Sequence, residues 1–269
     1  MKLVAAIVDW AGTIVDFGSS APAGAFVELF RRHGVAIGAA QARGPMGQNK
    51  RDHVRALLFL RDVADAWQGV FGRAPSEADV DALYREFIPL QVQTLAGHAD
   101  IIPGVLEALA AMRRRGLTIG STTGYDRQMV EILVAATRPR GLDLDCVVTS
   151  SDAIGGRPGP WMALEAAARL GVYPMRSIVK IGDTLADVDE GLNAGMWTIG
   201  LTRCGNEVGL GAAELAELER TQPDEAARRV EHARLRLLGH GAHYTASSLL
   251  DCLPILDAID ARLARGQSP

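Results

Sequence analysis

The sequence predicts an α/β fold: a parallel sheet wrapped by crossover helices, with an all-helical module inserted after the first strand. Three observations predict it. Short apolar runs of strand length recur along the chain, each ending at a polar, glycine- or hydroxyl-rich turn. Helix-period segments alternate with the later runs, the pattern of crossover units. Between residues 19 and 100 the alternation stops and only helical patterns remain.

The first run, residues 2–8 (KLVAAIV), ends at Asp9, as a strand buried on both faces does. The insertion follows, with helical patterns over residues 25–33, 39–43, 50–60 and 76–95. Ser76 caps the last of these ahead of Glu77 and Asp79. Later strands are expected at 117–121 (LTIGS), 146–149 (CVVT), 178–181 (IVKI) and 197–201 (WTIGL). Helices are expected between them at 104–115, 127–137, 160–170 and 186–194. Residues 207–267 read as helices plus a short strand near Ala242-His243-Tyr244. The expected division is an α/β core of residues 1–18 and 101–269, and a helical cap of residues 19–100. A helical module beside a strand-end site can act as a lid.

Composition narrows the function. The net charge of −4 gives no basic surface, so a nucleic-acid partner is not expected. No apolar run approaches the roughly 20 residues that span a bilayer. The first run lacks the flanks of a signal peptide. Cys146, Cys204 and Cys252 are an odd number, widely spaced, which reads as reduced thiols. A soluble cytoplasmic protein without a membrane partner is expected.

The chemistry-bearing residues fall at strand ends, where ligands bind in parallel sheets. Asp9 opens the turn Asp9-Trp10-Ala11-Gly12-Thr13. A carboxylate there can act as a nucleophile, and Gly12 allows close backbone approach to a ligand. Alone, such an Asp equally well caps a turn. Gly182-Asp183-Thr184-Leu185-Ala186-Asp187 follows another strand. Two acids at a strand end suit Mg²⁺, which takes hard oxygen ligands from one or two carboxylates plus phosphate. Ser121-Thr122-Thr123-Gly124-Tyr125 offers hydroxyls and free amides to a phosphate, and Arg157 in Gly156-Arg157-Pro158 offers a cation.

Their order along the chain, over about residues 2–205, resembles the haloacid dehalogenase superfamily. The resemblance implies a Rossmann-like core, a phosphoryl-attacking Asp9 and a bound Mg²⁺. Its ligands would be Asp9, Asp183 and the backbone carbonyl of Ala11. Thr123, Gly124 and Arg157 would hold phosphoryl oxygens, with Asp187 and Thr184 supporting them from behind. Members that hydrolyse phosphate esters carry an acid two residues after the nucleophile, to protonate the departing alkoxide. This chain has Ala11 there.

The insertion gives a reason. Its segment Pro45-Met46-Gly47-Gln48-Asn49-Lys50-Arg51-Asp52-His53 resembles the cap of the phosphonatase family, as do Asp9 to Thr13, Gly120 to Tyr125, Pro160-Trp161-Met162 and Asn193 to Trp197. That resemblance makes Lys50 the amine that forms a Schiff base with a small-molecule phosphonate aldehyde. It puts His53 in the active site, with Met46 beside the imine and Tyr125 against the substrate. Trp10 is expected in the core. The family often has Cys where this chain has Ser19, and Thr where it has Ile14. The resemblance also implies a homodimer through cap helices. The competing readings are a phosphatase or phosphomutase, which wants an acid at position 11, and a binder without turnover, which predicts damage in several motifs.

Overall fold

The computed structural model describes all residues, 1–269. Six strands form one sheet: β1 (Ala5–Val8), β2 (Thr118–Thr123), β3 (Cys146–Thr149), β4 (Ile178–Gly182), β5 (Trp197–Leu201) and β6 (Tyr244–Ala246). Their order is β3-β2-β1-β4-β5-β6 and every pairing is parallel. β1 (AAIV) is wholly buried, as a central strand with helices on both faces must be. Val8 pairs with Ser121 on one side and Ile181 on the other. Asp9, Thr123 and Asp183 therefore leave the sheet at the same edge.

Five helices occupy the chain between β1 and the first crossover: α1 (Ser20–Arg32), α2 (Ala39–Arg43), α3 (Lys50–Leu58), α4 (Arg61–Phe71) and α5 (Glu77–Leu95). α5 packs against α1 and α3. Around the sheet lie α6 (Val105–Arg114), α7 (Arg127–Thr137), α8 (Trp161–Leu170) and α9 (Leu185–Asn193). α10 (Ala212–Thr221), α11 (Pro223–Gly239) and α12 (Leu253–Ala264) complete the chain. α8 covers β2 and β3, and α9 covers β4 and β5. The main apolar cluster runs from the sheet (Val8, Ile119, Val179) into the helical insertion (Phe26, Leu57, Leu83, Phe87). None of the helices is long and apolar enough to cross a membrane.

The structure departs from the sequence patterns in three places. α1 begins at Ser20 rather than 25, because Asp16 accepts hydrogen bonds from the Ser20 and Ala21 amides and starts the helix early. Pro22 is tolerated in that first turn. α4 is an additional helix; it buries Val63 and Trp67 and stops at Gly72, whose φ is 70°. Its N-cap position is Leu60, so it carries no sequence signature of a start. β6 lies two residues later than expected, over Tyr244–Ala246.

Candidate active site

Asp9 is fixed by its own amide, which donates to the Ile181 carbonyl at 2.9 Å, and its side chain is 7% exposed. The turn after it folds back onto Asp183. Thr13 Oγ1 and Ser19 Oγ donate to the two Asp183 oxygens at 3.0 and 3.1 Å, and the Asn206 amide donates at 2.8 Å. Gly12 has φ +76°, and a Cβ there would fall 2.2 Å from Asp183 Oδ2. Only glycine fits both the backbone and the space. Trp10 is buried and donates through Nε1 to Ser121 Oγ at 3.0 Å, packing in the core as expected.

Carboxylate oxygens of Asp9, Asp183 and Asp187 lie within 4.8 Å of one another, all buried. Burial, and then Asp187, pushes the Asp9 carboxyl up; burial, and then Asp9, pushes Asp183 well up. Against the cost of its burial, Arg157 and Lys180 hold Asp187 below the usual carboxylate range. Buried like charges of this kind suit a cation between Asp9 and Asp183, so the donor set fits a divalent metal. Asp187 is otherwise engaged: its Oδ2 accepts from Thr184 Oγ1 at 2.6 Å, and its Oδ1 lies 2.9 Å from Arg157 and from Lys180.

Arg157 has no exposed side-chain surface. Its Nη2 donates to Asp9 Oδ1 and to the Thr122 carbonyl, both at 2.9 Å, and its Nε to Glu190 at 2.8 Å. Its Nη1 reaches the Gly47 carbonyl of the inserted segment at 3.3 Å.

Asn49 caps α3 by accepting from the Asp52 amide, which sets Lys50 in the first turn. Lys50 is 5% exposed, and its Nζ lies 4.8 Å from the Tyr125 ring centre. Burial, with help from Arg157 and against the pull of Asp9, pushes this amine down to about 8. Tyr125 is also buried, which raises its phenol well above the usual value. The segment around Gly47 is wedged against the sheet-end loops. A Cβ on Gly124 would lie 2.3 Å from the Gln48 carbonyl, and one on Gly47 (φ +89°) 2.3 Å from Thr184 Oγ1.

Together Asp9, Ala11, Ser19, Pro22, Met46, Gly47, Lys50, Thr123, Gly124, Tyr125, Arg157 and Thr184 line one narrow cavity of about 20 Å³. That is room for about one water. Gly12 and Asp183 sit just outside this wall. His53 does not line it. It lies behind Lys50 on α3, fully buried and stacked on Phe26 at 3.8 Å between ring centres. Burial, and then Lys50, pushes it well below the usual histidine value, so the ring is neutral. Its Nε2 must donate to the Ala42 carbonyl at 2.9 Å, which leaves Nδ1 as a bare, buried lone pair. A surface groove of about 790 Å³ beside α11 carries none of these groups.

Several site residues are absent from the sequence reading. Lys180 and Glu190 are buried behind Asp9 and Arg157. A lysine inside the apolar run IVKI was a usable signal, since unpaired lysines are almost never buried. Glu190 follows Asp187 by one helical turn and shares its face. Asn206 sits in an irregular loop and left no signal.

A Rossmann-like sheet with Asp9 and Asp183 facing each other at its strand ends is the architecture of the haloacid dehalogenase-like hydrolases, and that family's model matches residues 3–195. Phosphonoacetaldehyde hydrolase from Nitratidesulfovibrio vulgaris is 49% identical over 265 residues, 98% of this chain and 94% of that one. The protein of the same name from Bacillus cereus is 43% identical over 97% of each chain. The crystal structure of a phosphonoacetaldehyde hydrolase-like protein from Oleispira antarctica superposes with a TM-score of 0.96 at 38% identity, covering 100% of this chain and 96% of that one. The chain belongs to the phosphonoacetaldehyde hydrolase family. A β-phosphoglucomutase from Clostridium difficile, 16% identical with a TM-score of 0.69, shares the fold.

Proposed function

We propose that this chain hydrolyses the phosphorus–carbon bond of phosphonoacetaldehyde, giving acetaldehyde and phosphate. One observation carries the reading. A buried amine with lowered basicity, Lys50, faces the same cavity as Asp9, and Ala11 lines that cavity where a phosphatase keeps its acid.

Breaking the bond directly would expel a carbanion. Lys50 avoids this. Its free amine condenses with the aldehyde, releasing water, and the imine takes up a proton from solvent to become an iminium ion. Asp9 then attacks phosphorus. The phosphorus–carbon bond breaks and its electron pair moves toward the cationic nitrogen, so carbon departs as a neutral enamine. No alkoxide forms, so a methyl group at position 11 suffices. Water cleaves the aspartyl phosphate and frees Asp9. The enamine takes a proton at carbon, and the resulting iminium hydrolyses to acetaldehyde and Lys50.

Arg157, Thr123 and the Gly124 amide are assigned to the phosphoryl oxygens. Mg²⁺ held by Asp9, Asp183 and the Ala11 carbonyl would offset phosphoryl charge as Asp9 approaches. Thr184 and Asp187 support that side. Met46 and Tyr125 wall the imine. His53 backs the Lys50 turn from within the insertion, stacked on Phe26, and does not face the cavity. A homodimer through the cap is supported by the exposed Phe59, Val70 and Phe71, and sedimentation tests it. The free thiols of Cys146, Cys204 and Cys252 suit a reducing cytoplasm.

Purified protein with phosphonoacetaldehyde and Mg²⁺ should release acetaldehyde and phosphate in equal amounts. Turnover of p-nitrophenyl phosphate alone would overturn the reading. Borohydride with substrate should inactivate the wild type, and Lys50→Arg should resist; equal trapping removes the Schiff base from Lys50.

A further inference from the structure

We propose that Lys180 is a positioning residue for this reaction: its buried ammonium holds Asp187, Glu190 and Thr122 so that the Arg157 fork stays turned toward Asp9. The inference rests on the reading of Arg157 as a phosphoryl ligand. Lys180 stands in the middle of β4 (IVKIG), a strand buried at every position. An ammonium there is costly unless it is paired. Gly191 lets α9 come down onto its stem, where a Cβ would lie 2.9 Å from that of Lys180. The stem thus leads to the α9 face that carries Asp187 and Glu190.

The pairing is what assigns the role. Lys180 Nζ lies 2.8 Å from Thr122 Oγ1, 2.9 Å from Asp187 Oδ1 and 3.1 Å from Glu190 Oε2. Arg157 uses the same three groups: Glu190 Oε2 at 2.8 Å, Asp187 Oδ1 at 2.9 Å and Thr122 Oγ1 at 3.0 Å. The Thr122 hydroxyl is saturated. It donates to Glu190 at 2.8 Å and accepts from both cations, which is all a hydroxyl can do. Two cations therefore face two carboxylates through one shared hydroxyl, directly behind Asp9.

Without Lys180, Arg157 alone would answer both Asp187 and Glu190. Its Nη2 stands 2.9 Å from both Asp9 and Asp187, and with one cation lost the balance would tip toward Asp187 and away from Asp9 and a phosphoryl oxygen. None of Lys180, Glu190, Asp187 and Thr122 lines the cavity, so the effect passes through Arg157. Lys180 touches no reacting atom.

The test uses the full chain with Lys180→Met, and Lys180→Gln as a second variant that keeps a hydrogen-bond donor but no charge. Three quantities are read: Tm, kcat on phosphonoacetaldehyde, and the calorimetric affinity for inorganic phosphate. In the folded variants kcat should fall by about 100-fold, the scale of a displaced catalytic group. Phosphate affinity should weaken by about tenfold, the loss of one charge-assisted contact. Borohydride trapping at Lys50 should persist, since imine formation does not need Arg157. A lower Tm with wild-type kcat and phosphate affinity overturns the proposal, as does Lys180→Gln with full activity. Phosphate binding is independent of turnover. A wild type inactive on phosphonoacetaldehyde, with variants that still lose phosphate affinity, would sink the proposed reaction and leave the positioning role standing.

Discussion

Ala11 lies on the cavity wall two residues from Asp9, where an acid would protonate an oxygen leaving group. Restoring that acid should redirect the chemistry. Ala11→Asp is expected to raise turnover of p-nitrophenyl phosphate by about 100-fold, the lower end of what a placed general acid supplies, and to lower acetaldehyde release. Parallel assays of the two substrates check it; no gain on the ester would mean that position 11 does not aim at the leaving group. On the proposed reaction, Lys50 sets the pH dependence. Burial holds its amine down to about 8, so the free base grows as pH rises through that value. kcat/KM should climb by about tenfold per pH unit below 8 and level off above it. The same burial acts on stability with a definite sign. A free lysine titrates near 10.4, so the unfolded chain binds the extra proton between about 8 and 10.4. The cost of burying Lys50 is complete below pH 8 and fades as pH rises across that window. Asp9, Asp183 and Arg157 were legible because each ends or follows an apolar run. Lys50 was legible only through its neighbours in the cap segment, since an isolated helix lysine carries no such message. His53 shows the limit of spacing: three residues from Lys50 it shares a helix face, yet it packs on Phe26 rather than on the cavity wall.

At the level of elements, the segment between α2 and α3 does more than join them. Gly47 and Gln48 press onto Gly124 and Thr184, and the Gly47 carbonyl takes a hydrogen bond from Arg157. α2 adds a second tie: Arg43 Nη1 donates to the Gly18 carbonyl at 2.6 Å, and Asn206 Nδ2 donates to the Arg43 carbonyl at 3.2 Å. A methyl at position 124 meets backbone rather than a flexible side chain. Gly124→Ala should therefore lift the inserted segment and lower kcat/KM by about 100-fold, while the melting temperature stays near that of the wild type. Steady-state kinetics beside a thermal melt decide it; unchanged kinetics would show that closure does not need this contact. The strands were legible because period and burial agree in a parallel sheet. α4 was not, because Leu60 is no capping residue and the helix is held by the packing of Val63 and Trp67.

Across the whole molecule, one apolar cluster ties the sheet to the insertion, and the buried carboxylates gather at the strand ends that the insertion covers. Asp9 is raised by burial and by Asp187, and Asp183 by burial and by Asp9, so a divalent cation should stabilise the fold by mass action, by about 2.7 kcal/mol at one hundred times its Kd. Calorimetric melting with and without Mg²⁺ should give a rise in Tm for the wild type and none for Asp183→Asn. An equal rise in both would place the ion elsewhere.

The cavity between Asp9 and Lys50 holds about one water, far less than a phosphonate aldehyde needs. On the proposed reaction, reagents would reach the Lys50 imine only as fast as the inserted segment moves aside. In borohydride trapping the inactivation rate should rise with reagent at first and then plateau. The plateau is a clock for opening, set by the protein and independent of the reductant. In Gly124→Ala, whose closed state is strained, that clock should run faster even as catalysis slows.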